Sequence, residues 1–190
     1  VGKILACFVS IVKVFVNGVN IGNKVNCSHV GLTLLVQVID NCTGVFCTAT
    51  IQVKDFLPPK LVCTDIELIC AITDLSPEYL KNVLGIPTAY PVVTENCNPY
   101  VLTHKDTWVN LTCTDDYIGY LLRVWTATDA SGNKGTCTQY LNFKQQHISD
   151  VSFPANITLP CNDGPANTAP QVTGAPYLTA FGFNFPIYPD

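Results

Sequence analysis

Leu122-Arg123-Val124-Trp125-Thr126-Ala127-Thr128-Asp129-Ala130-Ser131-Gly132-Asn133-Lys134-Gly135-Thr136-Cys137-Thr138-Gln139-Tyr140-Leu141-Asn142-Phe143 is the stretch that decides the fold. Two runs rich in Val, Thr and aromatic residues flank a polar turn that carries Asp, Ser, Gly and Asn. β-Branched and aromatic side chains suit a pleated surface, and Asp, Asn and Gly supply turn conformations, so the stretch reads as a β-hairpin. A second copy of the pattern lies upstream. Val36-Gln37-Val38 leads into Ile39-Asp40-Asn41-Cys42-Thr43-Gly44, followed by Cys47-Thr48-Ala49-Thr50-Ile51-Gln52-Val53.

The two copies share a register. Asp40 matches Asp129 at an offset of 89 residues, and Cys47-Thr48 matches Cys137-Thr138 at 90. Cys7 lies over Cys97 at 90, and the run Val62 to Cys70 lies over Phe153 to Cys161 at 91. Four anchors near one offset indicate internal repeats of about 90 residues. The expected organisation is the C-terminal part of a first repeat (1–54), a complete central repeat (55–145) and the N-terminal part of a third (146–190). With no initiator Met and no polar tail, the chain reads as a piece of something longer. Each repeat is expected to be a β-sandwich, since short strands recur with turns between them. Pro58-Pro59 starts the next unit, because proline cannot donate to a strand ladder. Ser76-Pro77-Glu78-Tyr79-Leu80-Lys81-Asn82-Val83-Leu84-Gly85 is the exception. Serine at the N-cap, proline in the first turn and glycine past the end describe a short helix.

Composition narrows the function classes. The chain has 190 residues, 48% hydrophobic and only 13% charged, with a net charge of -4. Neutralising phosphates needs clustered Lys and Arg, so nucleic-acid binding is not expected. The hydrophobic fraction also excludes disorder. Ten cysteines without a CxxC pair point to disulfides rather than zinc, hence to an oxidising compartment. The apolar opening Val1 to Val16 is interrupted by Lys13 and lacks a small-x-small cleavage site, so it reads as a strand rather than a signal peptide. No segment offers the ~20 apolar residues needed to span a bilayer.

The run Trp125 to Asn133 with Cys137, the Pro58-Pro59 to Cys63 opening and Thr94-Glu95-Asn96-Cys97 resemble the signature of hyalin-type (HYR-like) immunoglobulin-like repeats. The form resembles repeats of very large surface proteins of Bacteroidota, including gliding-motility adhesins exported by type IX secretion. This resemblance implies an all-β fold of tandem, disulfide-stapled immunoglobulin-like sandwiches at the cell surface. Two departures stand out: Pro154 replaces the first cysteine of the third repeat, and Cys42 is an addition in the first.

The cysteine positions suit a local bridge between Cys42 and Cys47 across their turn. Cys137 has no Cys42 equivalent, and Cys63 on the opening strand is the candidate partner, tying the first and last strands together. Cys97 and Cys113, and their counterparts Cys7 and Cys27, are expected to pair within their repeats. Cys70 and Cys161 are left to pair elsewhere.

Candidate sites are few. His29, His104 and His147 form no HExxH or i, i+4 pair and adjoin no serine elbow, so they read as satisfied local histidines. Asp115-Asp116 and the pair Asp129 and Asn133 are weak calcium candidates, because Asp, Asn and Gly also serve tight turns. No other cofactor is expected. Trp125, mid-strand, is expected in the core. Trp108 is core or an exposed platform for sugar stacking. Tyr177 to Tyr188 reads as strands of an incomplete repeat. Asn26, Asn41, Asn110 and Asn156 fit the N-x-Ser/Thr acceptor pattern. The expected function is structural and adhesive: a non-enzymatic segment of a long extracellular surface protein or fibre. Its partners would be neighbouring repeats, identical subunits, or a surface or glycan ligand. The alternative is a carbohydrate-binding module of a secreted enzyme.

Overall fold

The computed structural model describes residues 10–97, 99–112, 116–159 and 168–188. The chain is all-β in character and divides into two compact units. The first holds residues 1–60, 94–102 and 127–135, the second residues 61–93, 103–126 and 136–190. Two excursions of the middle of the chain, around 94–102 and 127–135, belong to the first unit.

The first unit is built on β1 (Ser10–Val16), β2 (Val19–Gly22), β3 (Thr33–Asp40) and β4 (Phe46–Gln52), in the sheet order β2-β1-β3-β4. The Ser10–Val16 part of the apolar opening is thus a strand, and the preceding residues with Cys7 lie outside the described residues. Asn17-Gly18 closes the β1–β2 hairpin with φ 48 and 82, the left-handed pair a two-residue turn demands. The expected β3–β4 hairpin is present, pairing antiparallel from Thr33↔Gln52 to Ile39↔Phe46. Its turn is fastened by Asp40, whose Oδ1 accepts from the backbone N–H groups of Cys42 and Thr43 at 2.8 and 3.2 Å. Directly paired residues share a face. One face therefore carries Val14, Val36 and Ala49, with Leu34 and Ile51 beside them. Val14 and Leu34 are buried, whereas every residue of β4 is exposed.

The second unit begins with β5 (Lys60–Val62) and β6 (Ile66–Ile69), which follow the Pro58-Pro59 stop. The helix α1 (Pro77–Asn82) forms as the sequence expected. Ser76 Oγ accepts from Tyr79 N at 3.3 Å, Pro77 opens the helix, and Gly85 has φ 70 just after it. There follow β7 (Val92–Thr94), which pairs with β5, and the long strands β8 (Tyr100–Asn110), β9 (Tyr117–Asp129) and β10 (Lys134–Lys144). Their sheet has the order β6-β10-β9-β8. β6 joins β10 in parallel, Ile66 against Leu141 and Leu68 against Phe143. Strict alternation along β9 buries every second residue from Gly119 to Asp129. Leu121, Leu141, Phe143, Ile66, Leu68 and the α1 residue Leu80 make the center of the core. Gly119 is required here: a Cβ would stand 2.7 Å from Val109 O and 3.1 Å from the Trp108 ring. The chain ends in β11 (Val151–Ser152), a one-turn α2 (Pro170–Thr173), β12 (Tyr177–Ala180) and β13 (Phe183–Pro186), with β11-β12-β13 as a three-stranded sheet.

The bridges correct part of the expected pattern. Cys63 and Cys137 are bonded, their Cα atoms 5.9 Å apart. Cys27 is bonded to Cys97 across 70 residues, not to Cys7, and Cys97 therefore not to Cys113. Equivalence in the register had suggested pairing within each repeat, whereas Thr94–Leu102 packs into the first unit and brings Cys97 to Cys27. The local Cys42–Cys47 bridge does not form either. Cys42 is in a disulfide while Cys47 is an exposed free thiol, as is Cys70. Asp40 holds the Cys42 side of the turn through its own hydrogen bonds, so the hairpin needs no covalent clip. Cys7, Cys113 and Cys161 lie outside the described residues, as does Asp115.

Candidate functional site

Three carboxylates from distant parts of the chain meet in the first unit. Asp129 ends β9, Asp55 follows β4 and Glu95 follows β7, and one oxygen of each lies within 4.8 Å of the others. The Asp-Ala-Ser-Gly-Asn turn fixes Asp129. Its Oδ1 accepts from the N–H groups of Ser131 and Asn133, and its Oδ2 from Asn133 Nδ2 at 2.8 Å. Asn133 Nδ2 also donates to the carbonyl oxygen of Asp55 at 3.1 Å, drawing Asp55 to the turn. Glu95 accepts from Cys97 N through Oε1, while its buried Oε2 has no hydrogen-bond partner among the described residues. Burial pushes the Asp129 carboxyl up, but the hydrogen bonds from Asn133, Ser131 and Gly132 outweigh it and hold the group below the usual carboxylate range.

Only hard oxygen donors converge, the donor chemistry of calcium or magnesium. Calcium takes 6–8 oxygens, and Asp129 already spends its own on the turn. Asn133 was a calcium candidate from sequence, but its amide nitrogen, a donor, is the atom turned toward Asp129 and Asp55. The sequence missed Asp55 and Glu95 because neither stands near Asp129 in the chain. Beside the cluster lies an open cleft of about 570 Å³, lined by Asp55, Phe56, Asn133 and the Cys27–Cys97 pair.

No family model and no curated protein matches this chain.

In the second unit, Trp125 is 1% exposed, as expected of a core tryptophan. Its ring packs beside Tyr90 and His104, with centroids 5.6 and 4.8 Å away. Trp108 is 43% exposed, with its ring 4.8 Å from that of buried Phe143 and its Nε1 donating to Asn110 Oδ1. It roofs the core with one side and offers the other to solvent. The histidines are separate. His29 Nδ1 accepts from Asn26 N, His104 stacks on Trp125, and the backbone N–H of His147 donates to Asp150. Two further polar residues escaped the sequence reading. Arg123 and Gln139 are both buried, the first paired with Asp106 and the second with Trp125. Alternation placed both on the inward face, but long polar side chains there read as exceptions until their partners are known.

Proposed function

We propose that this chain is a structural and adhesive segment of a long extracellular surface protein or fibre, built from immunoglobulin-like repeats of about 90 residues and performing no catalysis. One observation carries the reading. The Cys63–Cys137 bridge joins the entry of the second unit to β10, so that the stretch before its parallel edge strand is covalently tied to the strand it borders. A loop of 74 residues constrains the unfolded chain by about 4 kcal/mol in the entropy model. The Cys27–Cys97 bridge overlaps it in sequence, so residues 27–137 form one cross-linked span. Disulfides persist in an oxidising environment, which fits a place outside the cell. No helix among the described residues is long and apolar enough to cross a membrane. The buried polar side chains support the same reading, since Arg123 spends its hydrogen bonds on Asp106 and the Leu75 carbonyl, and Gln139 spends its own on Trp125 and the backbone. The test is protease challenge of the oxidised and the reduced chain. The reading expects the oxidised chain to survive far longer, and equal lifetimes contradict it.

The exposed side of Trp108 favours one second reading, a carbohydrate-binding module that stacks sugars on the indole. A polysaccharide pull-down decides. Tight binding lost on Trp108→Phe to a lesser degree than on Trp108→Ala supports the module, and no binding removes it.

A further inference from the structure

The cluster of Asp55, Glu95 and Asp129 lies wholly within the first unit, and its members come from three separate stretches of chain. Each carboxylate gives one oxygen to backbone N–H groups a few residues on. Asp55 Oδ1 accepts from Leu57 N at 3.0 Å, and Glu95 Oε1 from Cys97 N at 2.8 Å. Asp129 Oδ1 accepts from Ser131 N and Asn133 N at 2.9 and 2.8 Å. What remains is Asp55 Oδ2, Glu95 Oε2 and, beside its bond from Asn133 Nδ2, one acceptor position on Asp129 Oδ2. Glu95 Oε2 stands apart from the other two. It is buried and accepts no hydrogen bond among the described residues, and with Oε1 turned to Cys97 it is the oxygen left for the cluster. Asp129 beside it is only 6% exposed. A buried carboxylate oxygen needs a donor, a cation or a proton. No donor among the described residues reaches this one, and the ion pairs among them all fall on Asp106.

We propose that Asp55, Glu95 and Asp129 bind a calcium ion, with Glu95 Oε2 as the ligand that the fold leaves without any other partner. The three ligand oxygens lie within 4.8 Å of one another. Calcium, with bonds of about 2.3–2.6 Å, bridges oxygens up to about 5 Å apart, so the spacing fits the ion as it stands. Calcium takes roughly 6–8 oxygens, more than three side chains offer. The open cleft of about 570 Å³ lined by Asp55, Ser131 and Asn133 gives water access to the remaining positions. Irregular coordination suits calcium, whereas magnesium demands a near-ideal octahedron. Three side chains, each already tied to its own backbone, have little freedom to build one. The ion turns mutual repulsion of three like charges into attraction to a common centre. It also ties the exit of β4 to the excursions 94–102 and 127–135 of the same unit. Calcium binding requires nothing of the repeat organisation or of adhesion, so the site and the structural role stand or fall separately.

Isothermal titration of the full chain with calcium, after stripping with chelator, is the test. One ion per chain is expected, with a dissociation constant of roughly 10⁻⁴–10⁻³ M, the range of extracellular sites. Glu95→Gln and Asp55→Asn, each nearly isosteric, are expected to weaken binding by about tenfold or more. Glu67→Gln, in the second unit, should leave it unchanged. Calcium at about ten times its dissociation constant should raise the melting temperature of the natural chain by about 3–6 °C, and that of Glu95→Gln hardly at all. Circular dichroism in chelator establishes that each variant is folded, and should one fail to fold, the other makes the comparison. Absence of calcium binding overturns the proposal. So do folded variants that bind as tightly as the natural chain, and so does magnesium binding as tight as that of calcium. A melting temperature that ignores calcium and rises on mild acidification would assign a shared proton to the cluster, and overturns it as well.

Discussion

The indole Nε1 of Trp125 donates to Gln139 Oε1 at 3.0 Å, and Gln139 Nε2 donates in turn to the carbonyl oxygens of Thr64 and Thr88 at 2.7 Å each. One buried amide thus joins β9, β10, the turn before β6 and the turn before β7. Gln139→Leu keeps the approximate volume but strands three polar groups. Each buried unsatisfied group costs roughly 1–3 kcal/mol. Urea unfolding is expected to show a loss of about 3 kcal/mol or more. A loss under 1 kcal/mol would mean that the network contributes little.

Arg123 is buried and takes Asp106 in a two-point contact, with both nitrogens 2.8 Å from the carboxylate oxygens. Its Nη2 also donates to Leu75 O at 2.7 Å, and its Nη1 has no partner among the described residues. Asp106→Ala leaves that cation unpaired, which is expected to cost about 3 kcal/mol. Replacing both ends together, Arg123→Met with Asp106→Ala, is expected to recover most of it. A thermodynamic cycle of chemical melts measures the difference, and additive losses would contradict the pairing.

Asp129 titrates below the usual carboxylate range in the folded chain, so its ionised form stabilises the native state. That stabilisation is present above the ordinary carboxylate pKa of about 4 and is lost as pH falls through the lower, folded value. Asp40, Asp74 and Glu78 are shifted the same way by Cys42 and Thr43, by Ser76, and by Tyr90. Acid unfolding is expected to steepen below pH ~4. Asp129→Asn should flatten that slope while lowering stability at neutral pH, as thermal melts across pH would record.

Three carboxylates crowd at Asp55, Glu95 and Asp129, and Glu95 Oε2 is buried without a partner. Without added metal, Glu95→Gln is expected to raise the melting temperature by about 2–4 °C through relief of like-charge repulsion. Added calcium should narrow the gap if the carboxylates hold it. An unchanged melting temperature in chelator contradicts the crowding.

Much of this was legible in the chain. Alternation and turn chemistry gave β3, β4, β9 and β10, and the N-cap serine with proline gave α1, because these are local signals. The Asn17-Gly18 hairpin was missed, although its dipeptide is an equally local signal for it. Cys63 with Cys137 was accessible because the opening and closing strands of a unit are neighbours. Cys27 with Cys97 was not, since no local pattern tells that Thr94–Leu102 packs with the first unit. Asp55 and Glu95 were hidden for the same reason: side chains brought together by long-range packing leave no spacing to read.

Single-molecule extension tests the central claim most directly. With the disulfides intact, pulling on the chain ends is expected to release a contour shorter by at least about 250 Å than after reduction, the reach of the 74 residues that Cys63–Cys137 holds, overlapped by the Cys27–Cys97 loop. The oxidised chain should also yield at higher force. Equal contour lengths and equal forces before and after reduction would contradict a disulfide-closed structural segment.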